Sequence, residues 1–245
     1  MAKALFIYPT TYGIDVPVCT LMKLSQGLDA DILYGDDASA VNVYYGFQNH
    51  DIIYGVGHGD CCVFTVQNLQ DAMSVSHTCS DGLQCPTFLP PQVSGKKIHL
   101  FSCLTGEYLG KYLGDHGAEF LGYNELITLA TWIHTYKPCV DDDQSNTTAF
   151  AIADFAGTLA LLNGGSIVDA YNATYEKYQE LIEHYSKQNT PIAPAVTRLL
   201  KANQLSLVYY PGMKTGHRAG MLGSIIYVIH NITSTLSALL SVPRD

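Results

Sequence analysis

The chain has 245 residues, of which 47% are hydrophobic and only 14% charged, and its formal net charge is −9 with 13 Lys and Arg. This length and hydrophobic content suit one large folded domain with a substantial core. The acidic balance, with no block of Lys or Arg, argues against a nucleic-acid-binding role, which depends on a basic surface.

The first half of the chain alternates short apolar runs with helical patterns. Strands are predicted at Ala4 to Tyr8, Ala30 to Tyr34, Ile52 to Val56, Ile98 to Ser102 and Glu119 to Tyr123, and helices at Val16 to Leu28, after a cap at Asp36 to Ser39, and at Gly106 to His116. Strands that alternate with helices are typical of an α/β protein. We therefore expect a mostly parallel sheet of about six strands with helices on both faces.

The second half begins with two helical patterns and ends with an apolar segment. Helices are predicted at Thr147 to Asn163 and Ser166 to Tyr185, and strands at Leu205 to Tyr210 and Ser224 to Ile229. Residues 219–243 carry no Asp, Glu, Lys or Arg, and a stretch of this length could cross a bilayer. Its Ser, Thr, Asn and His residues favour instead a buried strand and a packed helix within 211–245. We expect residues 1–245 to form a single domain without membrane association.

Residues 60–93 form a predicted loop-rich insert that contains Cys61, Cys62, Cys79 and Cys85 as well as several prolines. These cysteines could form disulfides, bind a metal together with His77, or be small buried residues. The turn between Cys79 and Cys85 could close a short disulfide, whereas the spacing matches no zinc pattern. The N-terminus has no secretory signal, which predicts a cytoplasmic protein, although a structural disulfide would indicate an oxidising compartment or a hyperthermophilic host.

Two dipeptides are the candidates for a catalytic site, because each follows an apolar strand. His58-Gly59 follows Ile52 to Val56, and Ser102-Cys103 ends or follows the next strand along the chain. Ligands bind at the carboxyl edge of a parallel sheet. We therefore expect an imidazole and a thiol to meet there, as thiol catalysis requires.

Each residue of this pair has a specific expected role. Cys103 would be the nucleophile, and His58 would take the thiol proton and later protonate the leaving amine. The backbone N–H groups of Gly59 and Cys103 are the expected oxyanion-hole donors. No third catalytic residue is apparent; His50 and His99 are expected to be incidental to the site, and His99 is predicted to be a packed side chain.

The order and spacing of these motifs, with Cys103 45 residues after His58, resemble the caspase-like cysteine peptidases. Residues 102–106, followed by a helix and by 117–123, are similar to gingipain-like and CHAT-type members. The resemblance implies a caspase-like three-layer sandwich. It also implies an endopeptidase that hydrolyses protein or peptide substrates through a Cys/His dyad and a thioester, with no cofactor and no metal.

Substrate preference is less clear from the sequence. Clostripain-like members carry an Asp two residues before the cysteine, where this chain has Phe101, so the resemblance does not imply specificity for basic side chains. The Gln-Ala-Cys context of caspases is also absent. Asp15, after the first strand, and Trp132, after the fifth, are weak substrate-binding candidates.

Three other functions compete with the peptidase hypothesis. A non-catalytic protein-binding module on a caspase-like fold is the alternative that stays open. Glutamine amidotransferases place their cysteine in a Gly-x-Cys-x-Gly turn ahead of the histidine, which this chain does not. A serine hydrolase is disfavoured because no Gly-x-Ser-x-Gly occurs.

Overall fold

A computed structural model describes residues 3–11, 14–82, 84–90, 92–128 and 147–213, apart from the side chains of residues 15, 16 and 147. The chain divides into two units, Met1–Gly212 and Met213–Asp245, and the fold described below is that of the first unit. The predicted strand Ser224 to Ile229 and the charge-free stretch 219–243 lie outside the described residues, as does most of the predicted segment 211–245.

The described elements follow one another in a repeating order of strands and helices. They are β1 (Ala4–Tyr8), α1 (Asp15–Leu24), β2 (Ala30–Tyr34), α2 (Ala40–Asn49), β3 (Ile52–Val56), β4 (Gly59–Asp60), β5 (Val63–Thr65), β6 (Asp71–Ser74), β7 (His77–Thr78), β8 (Gln84–Cys85), β9 (Lys97–Phe101), α3 (Leu109–Asp115), β10 (Glu119–Tyr123), α4 (Thr147–Leu162), α5 (Ile167–Ser186), α6 (Ala193–Ser206) and β11 (Leu207–Tyr210).

In the described part of the chain, the main sheet has six strands in the order β11-β10-β9-β3-β1-β2. Its strands are parallel except for β11, which runs antiparallel to β10. One face packs against α1, α4, α5 and α6, and the other packs against α2, α3 and strands β5 and β6. The predicted class, a mostly parallel six-stranded sheet with helices on both faces, is confirmed.

Burial explains why the strands could be recognised as uninterrupted apolar runs. All residues of β1 and β3 are buried, as expected for central strands covered on both faces. β2 forms one edge of the sheet and is partly exposed along its length. No helix among the described residues is both long and apolar enough to cross a membrane.

Two predicted helices are shorter than their sequence patterns suggested. α1 ends at Leu24 rather than Leu28, because the chain turns through Gly27, whose φ of 80° lies in the left-handed region. α3 begins at Leu109 rather than Gly106, and Gly117, with φ 88°, follows its end as predicted. The capping box predicted for Ser166 and Asp169 at the start of α5 is present.

The helix α6 was not predicted from the sequence. Its signals are Pro194 in the first turn and two buried side chains one turn apart, Val196 and Leu200. Because α6 continues through Ser206, the last strand begins at Leu207, two residues later than predicted.

The insert 60–93 is more regular than its composition suggested. β4, β5 and β6 form a three-stranded antiparallel sheet, and β7 and β8 form a hairpin. Disulfides join Cys61 to Cys79 and Cys62 to Cys85, so the predicted short bridge between Cys79 and Cys85 is wrong. The reason is that the adjacent pair Cys61-Cys62 occupies the turn between β4 and β5, where each cysteine reaches a different sulfur of the β7–β8 hairpin.

A buried polar network lies beneath the centre of the sheet. The fully buried Asp154 of α4 accepts hydrogen bonds from the hydroxyls of Tyr54 (2.8 Å) and Tyr123 (2.6 Å). Its Oδ1 also lies 3.1 Å from His99 Nε2, and the other His99 nitrogen contacts Thr158 Oγ1 at 2.9 Å. The prediction that His99 is a packed side chain is thus confirmed, and the network ties β3, β9 and β10 to one helix.

Candidate active site at the carboxyl edge of the sheet

The two dipeptides follow neighbouring strands of the observed sheet. β3 and β9 are paired in parallel with Val56 opposite Phe101, and the N–H of Gly57 donates to the Phe101 carbonyl (3.4 Å), which extends the ladder by one residue. His58 and Cys103 each stand two residues after the last paired residues, Val56 and Phe101. Adjacent strands are about 4.8 Å apart, so the two backbones lie close together at this edge.

The two strands that precede the dipeptides end in the core on one face of the sheet. Tyr54 and Val56 of β3, and Phe101 of β9, belong to the core that α4 and α5 cover. His58 and Cys103 come two residues after Val56 and Phe101, beyond the regular strands, and Cys103 stands in a turn. His58 is exposed and Cys103 is partly exposed, so that both are accessible to a molecule in solution.

The Cys103 sulfur is held by the backbone of a third segment. The N–H of Ile127 donates to Sγ at 3.3 Å, and the Ile127 carbonyl lies 3.8 Å from the same sulfur. Cys103 is the only cysteine without a disulfide among the described residues. The site therefore contains a free thiol with one backbone donor directed at it.

Burial raises the pKa of the Cys103 thiol, and the carboxylate of Asp60 raises it further. The backbone amides of Ile127 and of Cys103 itself lower the pKa and offset part of this rise. The resting group is therefore a neutral thiol at neutral pH. Any attack by this sulfur requires a base that removes its proton at the time of reaction.

Gly59 packs directly against the loop that carries the thiol. A Cβ at this position would contact Ser102 Oγ and would lie 2.7 Å from the Cys103 carbonyl oxygen. Thr65 N–H donates to the His58 carbonyl (2.9 Å), which makes His58 and Thr65 a hydrogen-bonded pair. Gly59 is the next residue and lies opposite Phe64, so its N–H points out of the β4–β5 ladder. An oxyanion-hole donor requires an N–H that is free in this way.

The chain turns sharply after Cys103. Leu104 has φ 56°, a left-handed conformation that is uncommon for a residue with a branched side chain. Its N–H donates to the Glu125 carbonyl (3.1 Å), and the Gly106 N–H donates to the Tyr123 carbonyl (2.7 Å). The turn therefore holds the cysteine at the tip of the loop, and strained backbone of this kind concentrates at functional sites.

Buried polar atoms without hydrogen-bond partners cluster at the same edge. Among the described residues, four buried side-chain oxygens lack a partner, and three of them, in Thr11, Ser102 and Asn124, follow the carboxyl ends of β1, β9 and β10. The fourth belongs to Ser74 in the insert. Unsatisfied buried polar groups are rare in folded proteins and call for an explanation such as a functional role. Their position marks this edge as the place where a ligand or water would complete the hydrogen bonding.

Several residues considered from the sequence lie elsewhere. Trp132 and the side chain of Asp15 are outside the described part of the structure, although the Asp15 backbone begins α1. The His77 ring stacks on Tyr108, with 3.7 Å between ring centroids. A cavity of about 450 Å³ lies against α5 and α6, and its walls, which include Tyr185 and Arg198, contain neither catalytic candidate.

The fold and the carboxyl edge of its sheet define an α/β protein in which an imidazole and a free thiol follow adjacent parallel strands. Comparison with known proteins adds no family to this description. The chain matches no protein-family model, no curated protein and no solved structure.

Two features of this site were missed in the sequence. Asp60 directly follows His58-Gly59, so that its proximity to the thiol could have been inferred from the pairing of the two strands. The Ile127 amide could not be recognised in the sequence, because the backbone N–H of any residue other than proline would supply the same donor.

Proposed function

We propose that the chain is a cysteine endopeptidase in which Cys103 is the nucleophile and His58 the general base and acid. The observation that supports the proposal is the parallel pairing of β3 with β9, because His58 and Cys103 each follow one of these neighbouring strands by two residues. A free, partly exposed thiol and three unsatisfied polar oxygens at the same edge support it.

The proposed reaction forms and then hydrolyses a thioester. His58 takes the thiol proton while Cys103 Sγ attacks the peptide carbonyl carbon, and the N–H groups of Gly59 and Cys103 stabilise the oxyanion. The imidazolium then gives its proton to the leaving amine as the C–N bond breaks. A water molecule, deprotonated by His58, finally attacks the thioester and releases the acid product and the thiol.

The raised pKa of Cys103 determines when the thiol proton is transferred in this mechanism. Because burial and Asp60 favour the neutral thiol, proton transfer from Cys103 accompanies the attack instead of preceding it. We expect the rate of reaction of Cys103 to depend strongly on His58 for this reason.

We further propose that the fold is of the caspase-like type that the sequence motifs resemble. The six-stranded, mostly parallel sheet and the helices on both of its faces support this assignment. The proposed substrate is a protein or peptide, with Asp15 and Trp132 as candidates for contacts to its side chains.

A non-catalytic binding module on the same fold is the second candidate function. The observation that favours it is the electrostatic environment of Cys103, because burial and a neighbouring carboxylate both suppress thiolate formation. In such a protein the thiol would be a packed group and the edge would hold a partner without cleaving it.

The experiment that separates the two candidates measures the rate at which Cys103 reacts with a neutral electrophile. The native chain should label at Cys103 much faster than its His58→Ala variant. His116→Ala, which changes an exposed histidine in the α3 C-terminal cap, is the matched control and should label like the native chain. Equal labelling of the native chain and His58→Ala would remove the peptidase proposal.

Substrate preference is tested with a positional peptide library, digested by the native chain and by Cys103→Ala. Cleavage that disappears in the variant identifies the side chains accepted on either side of the bond. Cleavage of the same bonds by purified Cys103→Ala would contradict the assignment of Cys103.

A further inference from the structure

The four cysteines of the insert converge on one point from two hairpins. Cys61 and Cys62 form the two-residue turn between β4 and β5, where Asp60 pairs with Val63. Cys79 follows β7, and Cys85 lies in β8 opposite His77. Each hairpin therefore supplies two sulfurs, which is the way in which zinc ribbons assemble their ligands.

The sulfur atoms are closer together than two separate disulfides require. The Sγ atoms of Cys61, Cys62 and Cys79 all lie within 4.8 Å of one another, and those of Cys62 and Cys79, which are not bonded, are 3.2 Å apart. Cys85 is bonded to Cys62, although its sulfur is not one of the three that lie within 4.8 Å of one another. In a tetrahedral zinc site with Zn–S bonds of about 2.3 Å, the sulfurs stand roughly 3.8 Å apart. Reduction would let the bonded sulfurs separate to that spacing, and Cys85 would have to turn towards the other three.

We propose that, in the reduced chain, Cys61, Cys62, Cys79 and Cys85 bind one Zn²⁺ ion as a tetrathiolate site. The cluster offers thiolates alone, which select zinc over magnesium or calcium. His77 is not part of the set, because its ring stacks on Tyr108. Three of the four cysteines are buried, which protects a bound ion from solvent.

The disulfide and zinc forms exclude each other and are related by balanced chemistry. Two equivalents of a dithiol reductant transfer four electrons and four protons to the two disulfides, which become four thiols. Zinc binding then releases the thiol protons to solvent. An oxidant of the peroxide class removes four electrons from the thiolates, restores both disulfides and expels the ion.

Zinc-ligand spacing patterns missed this site because two ligands are adjacent in the sequence. Such patterns require two or more residues between the members of a cysteine pair, whereas Cys61 and Cys62 have none. The hairpin turn supplies the separation in space that the sequence lacks.

The proposal is tested on the full chain, reduced anaerobically with a phosphine and titrated with Co²⁺ as a spectroscopic probe. One Co²⁺ per chain should bind with thiolate-to-metal charge-transfer bands and the visible bands of tetrahedral coordination, and Zn²⁺ should displace it. Cys79→Ser and Cys85→Ser should each weaken binding at least tenfold, whereas Cys103→Ser should bind like the native chain. The oxidised chain should bind no Co²⁺.

Two results would overturn the proposal. The first is failure of the reduced native chain to bind stoichiometric Co²⁺, and the second is an equal loss of binding in Cys103→Ser and Cys79→Ser. Because a serine variant could fail to fold, X-ray absorption of the zinc-loaded native chain provides an independent measurement. Four sulfur ligands support the site, and nitrogen or oxygen ligands contradict it.

Discussion

Gly59 is the residue at which the candidate site tolerates least additional volume. Its Cα lies against the Ser102 side chain and the Cys103 carbonyl, so that a methyl group would have to displace the loop that carries the thiol. We predict that Gly59→Ala destabilises the fold by about 1–3 kcal/mol, the usual cost of overpacking. Denaturant unfolding measures this change, and the labelling rate of Cys103 should fall with it.

Gly46→Ala is the matched control for that substitution. A Cβ at Gly46 meets only the end of the Leu5 side chain, which can move, and alanine is the better helix former. If Gly59→Ala proves no more destabilising than Gly46→Ala, the close approach of Gly59 to the cysteine loop is contradicted.

Asp60 contributes to the raised pKa of the neighbouring thiol, for which burial is the larger cause. Its carboxylate raises the pKa of Cys103, so that neutralising it with Asp60→Asn should lower that pKa and increase the thiolate fraction at a fixed pH. The hydrogen bond from Cys61 N–H to Asp60 Oδ1 (2.6 Å) can persist in the amide. We predict that the pH profile of Cys103 alkylation moves to lower pH in this variant.

The control for this experiment is Asp115→Asn, which removes an exposed charge at the end of α3. Its alkylation profile should coincide with that of the native chain. A shift to higher pH in Asp60→Asn, or no shift at all, would show that Asp60 does not act on the thiol.

At the scale of elements, the turn Cys61-Cys62 links the insert to α3. The N–H groups of Tyr108 and Leu109 both donate to the Cys61 carbonyl, at 3.1 and 2.8 Å, and so the turn caps the start of the helix that follows Cys103. Opening the disulfide of Cys61 should loosen this cap. We predict faster amide exchange at Tyr108 and Leu109 in oxidised Cys79→Ser than in the native chain.

Amides in the first turn of α5 provide the internal reference, because their capping box at Ser166 has no contact with the insert among the contacts described. Their exchange should be the same in both proteins. Unchanged exchange at Tyr108 and Leu109, with the disulfide verified as open, would argue that the helix keeps its cap without the bridge.

The elements of the main sheet could be predicted to within two residues because each strand is a separate apolar run. β1, β2, β3 and β10 have the bounds expected from the sequence. α6 was missed because its buried positions include Asn203 and Gln204, which weaken the apolar pattern. The disulfide pairing could not be deduced, since four cysteines allow three connectivities and only the two hairpins select one of them.

The candidate site was accessible to sequence reasoning only in part. His58 and Cys103 were found because each stands directly after an apolar strand, and strand ends on one edge of a parallel sheet come together. The order of the strands, which makes β3 and β9 neighbours, depends on pairing across the whole chain. The Ile127 amide and the unpaired oxygens of Ser102 and Asn124 emerge only after that pairing is known.

At the scale of the whole molecule, buried tyrosines should make the fold less stable at alkaline pH. Burial raises the pKa of Tyr8, Tyr54, Tyr123 and Tyr178 far above the ordinary value, and the nearby Asp154 raises each of them further. In the unfolded chain they titrate near pH 10. Their stabilising contribution is therefore complete below about pH 10 and is lost as the pH rises towards the folded values.

We predict that at least four of the 17 tyrosines fail to ionise reversibly while the chain stays folded. Ultraviolet absorbance during an alkaline titration counts phenolates, and circular dichroism follows the fold in the same samples. The buried group should ionise together with unfolding. Ionisation of all 17 in a chain with intact circular dichroism would contradict the buried network around Asp154.

Two disulfides in the insert also bear on where the chain works. Such bridges are typical of oxidising compartments and of some hyperthermophiles. The cytoplasmic location stays a prediction. The reduced, metal-binding form proposed for the insert is the form suited to a reducing compartment.

Cys103 is a free thiol, whereas two disulfides lie in the insert that begins a few residues after His58. This difference matters for the choice of reductant. Dithiothreitol, added routinely to protect a nucleophilic sulfur, would also cleave the bonds that brace the loop beside it. If Cys103 is the nucleophile proposed above, peptide cleavage should be greatest at an intermediate redox potential, because oxidants would damage its sulfur and reductants would open the disulfides of the insert. Activity measured after storage in strong reductant without added zinc would then be too low.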